Sequence, residues 1–128
     1  MHETALIQYA LSSVERAARR NGIDKVTEIH LVIGKLRAAL PQALQRGFLI
    51  LSKGTMFEGA SLTVEERDIT LACKDCGTEW TVGFIGQAVC PCCSGHNAKV
   101  VSGKEMYIDY FTGTKVQRRD GNEGIDDV

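Results

Sequence analysis

The chain has 128 residues, a formal net charge of −1 and 44% apolar residues, enough for one domain with a real core and room for a subdomain. Its cations are scattered, and the pairs Arg19-Arg20 and Arg118-Arg119 are too short to form a polyanion-binding stripe, so nucleic acid is not an expected partner. No apolar run reaches membrane-spanning length and Met1-His2-Glu3 is not the basic start of a secretion signal, which leads to the expectation of a soluble, cytoplasmic protein without a membrane partner.

In chain order, the first predicted element is a helix from about Glu3 to Arg20. Leu6, Ala10, Val14 and Ala17 fall on one face, widened by Ile7, Leu11 and Ala18. Glu3 suits the helix start, Arg19 and Arg20 suit its end, and Asn21-Gly22 is a stop signal. Val26 to Gly34 reads as a strand with Ile29, Leu31 and Ile33 on one face and His30 on the other, where a structural role is expected for the ring. A second helix is predicted from Pro41 to about Ser52, with Ala43, Leu44, Phe48 and Leu51 as its buried stripe. Pro41 fits a first turn, and Gly47 is an interior weak point. Leu62 to Arg67 reads as the next strand.

From about Cys73 to Val101 the composition changes. Glycine and cysteine punctuate short stretches such as Glu79 to Phe84, which suit hairpin strands. Met106 to Tyr110 then reads as a returning strand. The predicted organisation is a main lobe over 1–70 plus 103–111, a metal lobe over 71–102, and a tail over 112–128 that is expected to be mobile.

Two cysteine pairs carry the strongest chemical signal. Cys73-x2-Cys76 and Cys90-x2-Cys93 each have the spacing of a knuckle that presents two thiolates to one ion, and together they supply four soft donors for tetrahedral zinc. In a reducing compartment disulfides are not expected, and the fifth cysteine, Cys92, reads as a spare thiol within the second knuckle. A closed four-thiolate ion has no open position, so its role would be structural and not hydrolytic. His96 reads as a surface residue. A redox use of Cys73-x2-Cys76 would need a depressed thiolate pKa, commonly found at a helix N-terminus, and Leu71-Ala72 before it looks like strand or loop. A four-cysteine nucleic-acid-binding ribbon is the main alternative, opposed by the near-neutral charge.

The amino terminus is the second signal. Met1-His2-Glu3 offers the terminal amine, the His2 amide nitrogen and the His2 imidazole, with the Glu3 backbone nitrogen as a further donor, a set suited to square-planar Ni(II) or Cu(II). The Glu3 carboxylate could serve as an outer donor or orient the His2 ring. No nucleophile–base constellation or phosphate loop is visible, so no enzymatic activity is expected.

Taken together these residues resemble the HypA/HybF family of hydrogenase-maturation nickel metallochaperones. The resemblance covers residues 1 to about 110. It rests on Met1-His2-Glu3, Val32-Ile33-Gly34-Lys35-Leu36, Pro41-Gln42-Ala43-Leu44, Lys53-Gly54-Thr55, Glu58-Gly59-Ala60, the four knuckle cysteines with Cys90-Pro91-Cys92-Cys93-Ser94-Gly95, and Gly103-Lys104-Glu105-Met106. It implies an α+β fold, with a nickel-binding lobe of two helices on a three-stranded sheet and an inserted zinc-ribbon lobe. It implies transient Ni(II) at His2 and structural zinc at Cys73, Cys76, Cys90 and Cys93. The implied partners are a HypB-type GTPase and the [NiFe]-hydrogenase large subunit, with urease maturation proteins in some members. Gln42 and Arg46-Gly47-Phe48-Leu49 depart from the family's usual acidic and aromatic choices.

Overall fold

The computed structural model describes residues 3–83 and 88–115. Helix α1 spans Glu3–Arg20 and α2 spans Pro41–Ser52, both as their sequence signals indicate. Strand β1 is Lys25–Gly34, β2 is Ser61–Arg67, β3 is Ile69–Cys73, β4 is Glu79–Val82, β5 is Ala98–Ser102 and β6 is Met106–Thr114. Among the described residues no helix is long and apolar enough to cross a membrane.

The main lobe is the sheet β2-β1-β6 with both helices packed on one face. The α2 crossover lets β1 and β2 run parallel, and β6 returns antiparallel on the other side of β1. Ile29, Leu31 and Ile33 are buried on the helix side, as the period-two pattern predicts. Val26 is buried with them although alternation alone would turn it away. A bulge at Thr27 in the β1–β6 ladder inserts the extra residue that brings Val26 round.

The buried stripe of α1 is Ile7, Ala10, Leu11, Val14 and Ala18. The expected centre at Leu6, Ala10, Val14 and Ala17 is therefore rotated, and Leu6 and Ala17 lie at its half-buried edge. On α2, Leu44 and Phe48 are buried, while Ala43 and Leu51 are only half-buried and Ser52 takes the third inner position. Ser52 is satisfied there by donating from Oγ to the Phe48 carbonyl at 2.6 Å.

The metal lobe is a second sheet, β4-β3-β5, inserted between β2 and β6. It begins at Ile69, two residues before the expected boundary, and β3 and β5 are strands that the sequence pattern did not single out. At the other end, β6 continues through Thr114. Thr112–Thr114 therefore belong to the main sheet and not to a tail; residues 116–128 lie outside the described residues.

The chain passes between lobes at one tight crossing. The Gly34 N–H donates to the Glu105 carbonyl at 2.7 Å, and the Leu36 N–H donates to the Gly103 carbonyl at 2.9 Å. A Cβ on Gly34 would sit 2.0 Å from the Gly103 oxygen, so only glycine fits. Gly103 itself has φ of 121°, which side chains rarely adopt, and lies against Ile69. A Lys35–Asp68 ion pair at 2.7 Å and an Arg37 Nε bond to the Lys104 carbonyl at 2.9 Å flank this crossing. Beyond it, Leu36 packs into the small metal-lobe core of Ile69, Leu71 and Val82.

Candidate metal centre

The two knuckles fold as near copies of each other. In the first, the Gly77 N–H donates to the Cys73 carbonyl at 2.9 Å and the Cys73 N–H to the Thr78 carbonyl at 2.8 Å. In the second, the Ser94 N–H donates to the Cys90 carbonyl at 2.9 Å and the Cys90 N–H to the Gly95 carbonyl at 2.9 Å. Both turns close through a left-handed residue, Gly77 at φ 82° and Ser94 at φ 62°. Gly95 is small for a second reason: a Cβ there would press on the Cys93 sulfur at 3.2 Å.

This pairing of turns brings Cys73, Cys76, Cys90 and Cys93 together, with all four sulfurs within 4.8 Å of one another. The closest pairs cross between knuckles, Cys73–Cys93 and Cys76–Cys90, each at 3.6 Å. Cys73 and Cys90 are buried, whereas Cys76 and Cys93 face the surface. Backbone amides support the sulfurs: the N–H groups of Cys92 and Cys93 approach the Cys90 sulfur at 3.4 and 3.5 Å. Cys92, the fifth thiol, is exposed and lies outside the cluster.

The electrostatics show what such crowding does. Hydrogen bonding with the Thr78 side chain and the Thr78 backbone lowers the Cys76 thiol to about 6. At Cys93 the Gly95 amide pulls the thiol down, but the neighbouring sulfurs of Cys73 and Cys90, with burial, outweigh it and push it up to about 12. One thiol ionises readily and another is held protonated, because a second negative sulfur beside its neighbours is unfavourable at these distances. A divalent cation among them removes that conflict. Around a zinc ion with Zn–S of about 2.3 Å, tetrahedral sulfurs lie about 3.8 Å apart. The 3.6 Å pairs fit that spacing. Neither cysteine of the first knuckle stands at a helix N-terminus, since Cys73 ends a strand and Cys76 sits in a turn.

Of the amino-terminal residues, Met1 and His2 lie outside the described residues. Glu3 opens α1, and its carboxylate accepts from the Leu40 N–H, just before α2, at 3.2 Å. Its carboxyl is lowered from its ordinary value by its own amide, then by the Leu40 amide. The sequence has no signal for this bond, which joins residues far apart in the chain. His30 is structural, as expected: its Nε2 is 2.8 Å from Glu65 Oε1, and its ring stacks on Tyr110 with centroids 5.1 Å apart and planes 7° from parallel. His96 is exposed.

Comparison with known proteins places this architecture. The family model described as "Hydrogenase/urease nickel incorporation, metallochaperone, hypA" matches residues 1–113. The hydrogenase maturation factor HypA of Moorella thermoacetica is 38% identical over 113 residues, covering 88% of this chain and 99% of that protein. That of Solidesulfovibrio magneticus is 34% identical over 116 residues, covering 87% and 97%. The solution structure of the Ni metallochaperone HypA from Helicobacter pylori superposes with a TM-score of 0.64 at 20% identity, over 91% of this chain and all of that one, so the fold is shared well beyond close sequence likeness. With its two lobes, its four-sulfur cluster and a match along nearly the whole described length, the chain belongs to the HypA family of hydrogenase/urease nickel-incorporation metallochaperones.

Proposed function

We propose that the chain carries Ni(II) at its amino terminus, through the Met1 amine, the His2 amide and imidazole and the Glu3 backbone, while zinc held by Cys73, Cys76, Cys90 and Cys93 maintains the metal lobe. The observation that carries this reading is the family match beginning at residue 1, on a sequence that opens Met1-His2-Glu3. Nickel is cargo: it has to be held and then released. Donors at a chain end can leave one at a time, and amide coordination requires loss of a proton, so affinity falls as pH drops. The Glu3 carboxylate, bonded to the Leu40 amide, ties the first turn of α1 to the start of α2 and gives the terminal donors a fixed base. The recipients are the [NiFe]-hydrogenase large subunit and, as a second client, urease. A HypB-type GTPase is the co-chaperone, the protein works in the cytoplasm, and the role is delivery, not catalysis.

The four cysteines fit zinc through donor type and spacing, and the ion supplies a crosslink between the two knuckles. The decisive experiment is metal analysis of untagged protein loaded with Ni(II), compared with His2→Ala and with protein whose terminal amine is acetylated. Both changes should abolish nickel binding and leave about one zinc per chain. Unchanged nickel stoichiometry in either would overturn the terminal site.

A further inference from the structure

Helix α2 has a core side and a bare side. Leu44, Phe48 and Ser52 are buried, whereas Gln42, Arg46, Leu49, Ile50 and the following Lys53 are exposed. At 100° per residue those five project within one narrow arc opposite the core. Leu49 and Ile50 are 64% and 65% exposed, two adjacent apolar side chains on a surface where single ones are the norm. They are flanked by Arg46 and Lys53, neither of which has an acidic partner among the described residues. The acidic groups nearest the helix, Glu3 and Glu58, accept from the Leu40 and Gly54 N–H groups at its two ends, and the charge of the segment along the chain has one sign. Between Glu28 and Glu58 there is no acidic residue and four cations, Lys35, Arg37, Arg46 and Lys53, in a chain whose net charge is −1.

We propose that the outer face of α2 is the docking surface for an acidic amphipathic segment of a protein partner. Its apolar residues would cover Leu49 and Ile50, and its carboxylates would meet Arg46 and Lys53. A second copy of this chain fits poorly, because a two-fold contact between identical faces sets Arg46 and Lys53 against cations of the same face. The face runs along the helix whose start is bonded to Glu3, so a partner lying on it reaches the amino-terminal end of the main lobe. The identification of that partner with the nickel-delivery machinery rests on the proposed function; the surface itself does not.

The test is a titration of isotope-labelled, untagged full-length chain, followed by NMR. The probe is a designed helical peptide of about four turns with Leu along one stripe and Glu elsewhere. Shift changes should be confined to residues 42–53, and raising salt from about 0.05 to about 0.5 M should weaken binding. The double variant Arg46→Glu, Lys53→Glu should bind about tenfold or more weakly, and Leu49→Ala with Ile50→Ala should also weaken it. The same peptide with Lys in place of Glu should not bind. Equal binding of both peptides, no binding, or changes centred elsewhere would overturn the proposal. So would a concentration-dependent dimer abolished by Leu49→Ala with Ile50→Ala, which names a second copy as occupant, or tighter peptide binding after removal of residues 116–128, which names the chain's own acidic end. The His2→Ala variant should bind the peptide with unchanged affinity, so loss of the nickel site and loss of this surface are separate results.

Discussion

Among the described residues, the core cluster of the main lobe gathers thirteen buried apolar residues from α1, β1, α2, β2 and the loop at Phe57, whereas that of the metal lobe gathers three, Ile69, Leu71 and Val82. Units as small as the metal lobe usually need a metal or a crosslink to offset the entropy of ordering their chain. The difference lies in where the cohesion resides. In the main lobe it is spread over many side chains, each replaceable at a modest cost. In the metal lobe it is concentrated in four sulfurs that repel one another unless a cation sits among them. The outer lobe can therefore be dismantled by one chemical event, and the inner one only by degrees.

Metal removal tests this most sharply. Stripping the ion with a chelator, or making Cys90→Ser, should melt the metal lobe while the main lobe stays folded. Zinc-finger peptides gain roughly 10–16 kcal/mol of apparent free energy from the ion near neutral pH. Hydrogen exchange should show lost protection over residues 69–102 and retained protection in α1, α2 and β1; uniform loss in both lobes would erase the distinction. In the main lobe, Phe48→Ala should cost about 3–5 kcal/mol. A urea melt should register it with zinc content unchanged. At the crossing between lobes, Gly34→Ala forces its Cβ onto the Gly103 oxygen and should cost about 1–3 kcal/mol. It should destabilise both lobes together, and a selective effect on one would show that the crossing does not join them. Gly47→Ala should act in the opposite direction. A Cβ there meets only Ile7 Cγ1 at 4.0 Å, an ordinary contact, so removing an interior glycine should stabilise by up to about 1 kcal/mol in the same melt.

The smallest effect is set by pH. The His30 ring holds the Glu65 carboxyl below its ordinary value. A depressed carboxyl contributes stability above its unfolded value, and that contribution is lost as pH falls through the folded one. Glu65→Gln should lower the neutral plateau slightly and flatten the acid limb of stability below about pH 4, because the contribution lost on acidification is then missing at every pH. An unchanged acid limb would remove the pair from the account of the main lobe.

How much of this was legible in the sequence depended on the range of the forces involved. Both helices follow from local signals, the acidic and basic ends of α1 and Pro41 at the start of α2, and their bounds agree with expectation. The cysteine cluster was equally legible, because two-residue gaps encode the turn that presents the sulfurs. Long-range pairing was not. Strands β3 and β5 are short, and partners distant in sequence define them: Leu71 lies between Trp80 and Val100. The bulge at Thr27 is a property of two strands and shows in neither alone. The Glu3–Leu40 bond and the His30–Glu65 pair were hidden for the same reason, since a lone residue carries no mark of a partner more than thirty positions away.

The crossing at Gly34 and Gly103 also bears on the order in which the molecule assembles. Strand β6 completes the main sheet, yet it emerges from synthesis only after the whole insert. Without the insert folded, β6 must find β1 across a long unstructured loop, with the entropic penalty that loop length brings. Once the insert has closed on its ion, its two ends are already side by side, with Gly103 against Ile69 and Thr70 paired with Ser102, and the search becomes short. The ion would then act as an assembly catalyst for a sheet it never touches, and refolding of the main lobe should run faster in the presence of zinc than in its absence.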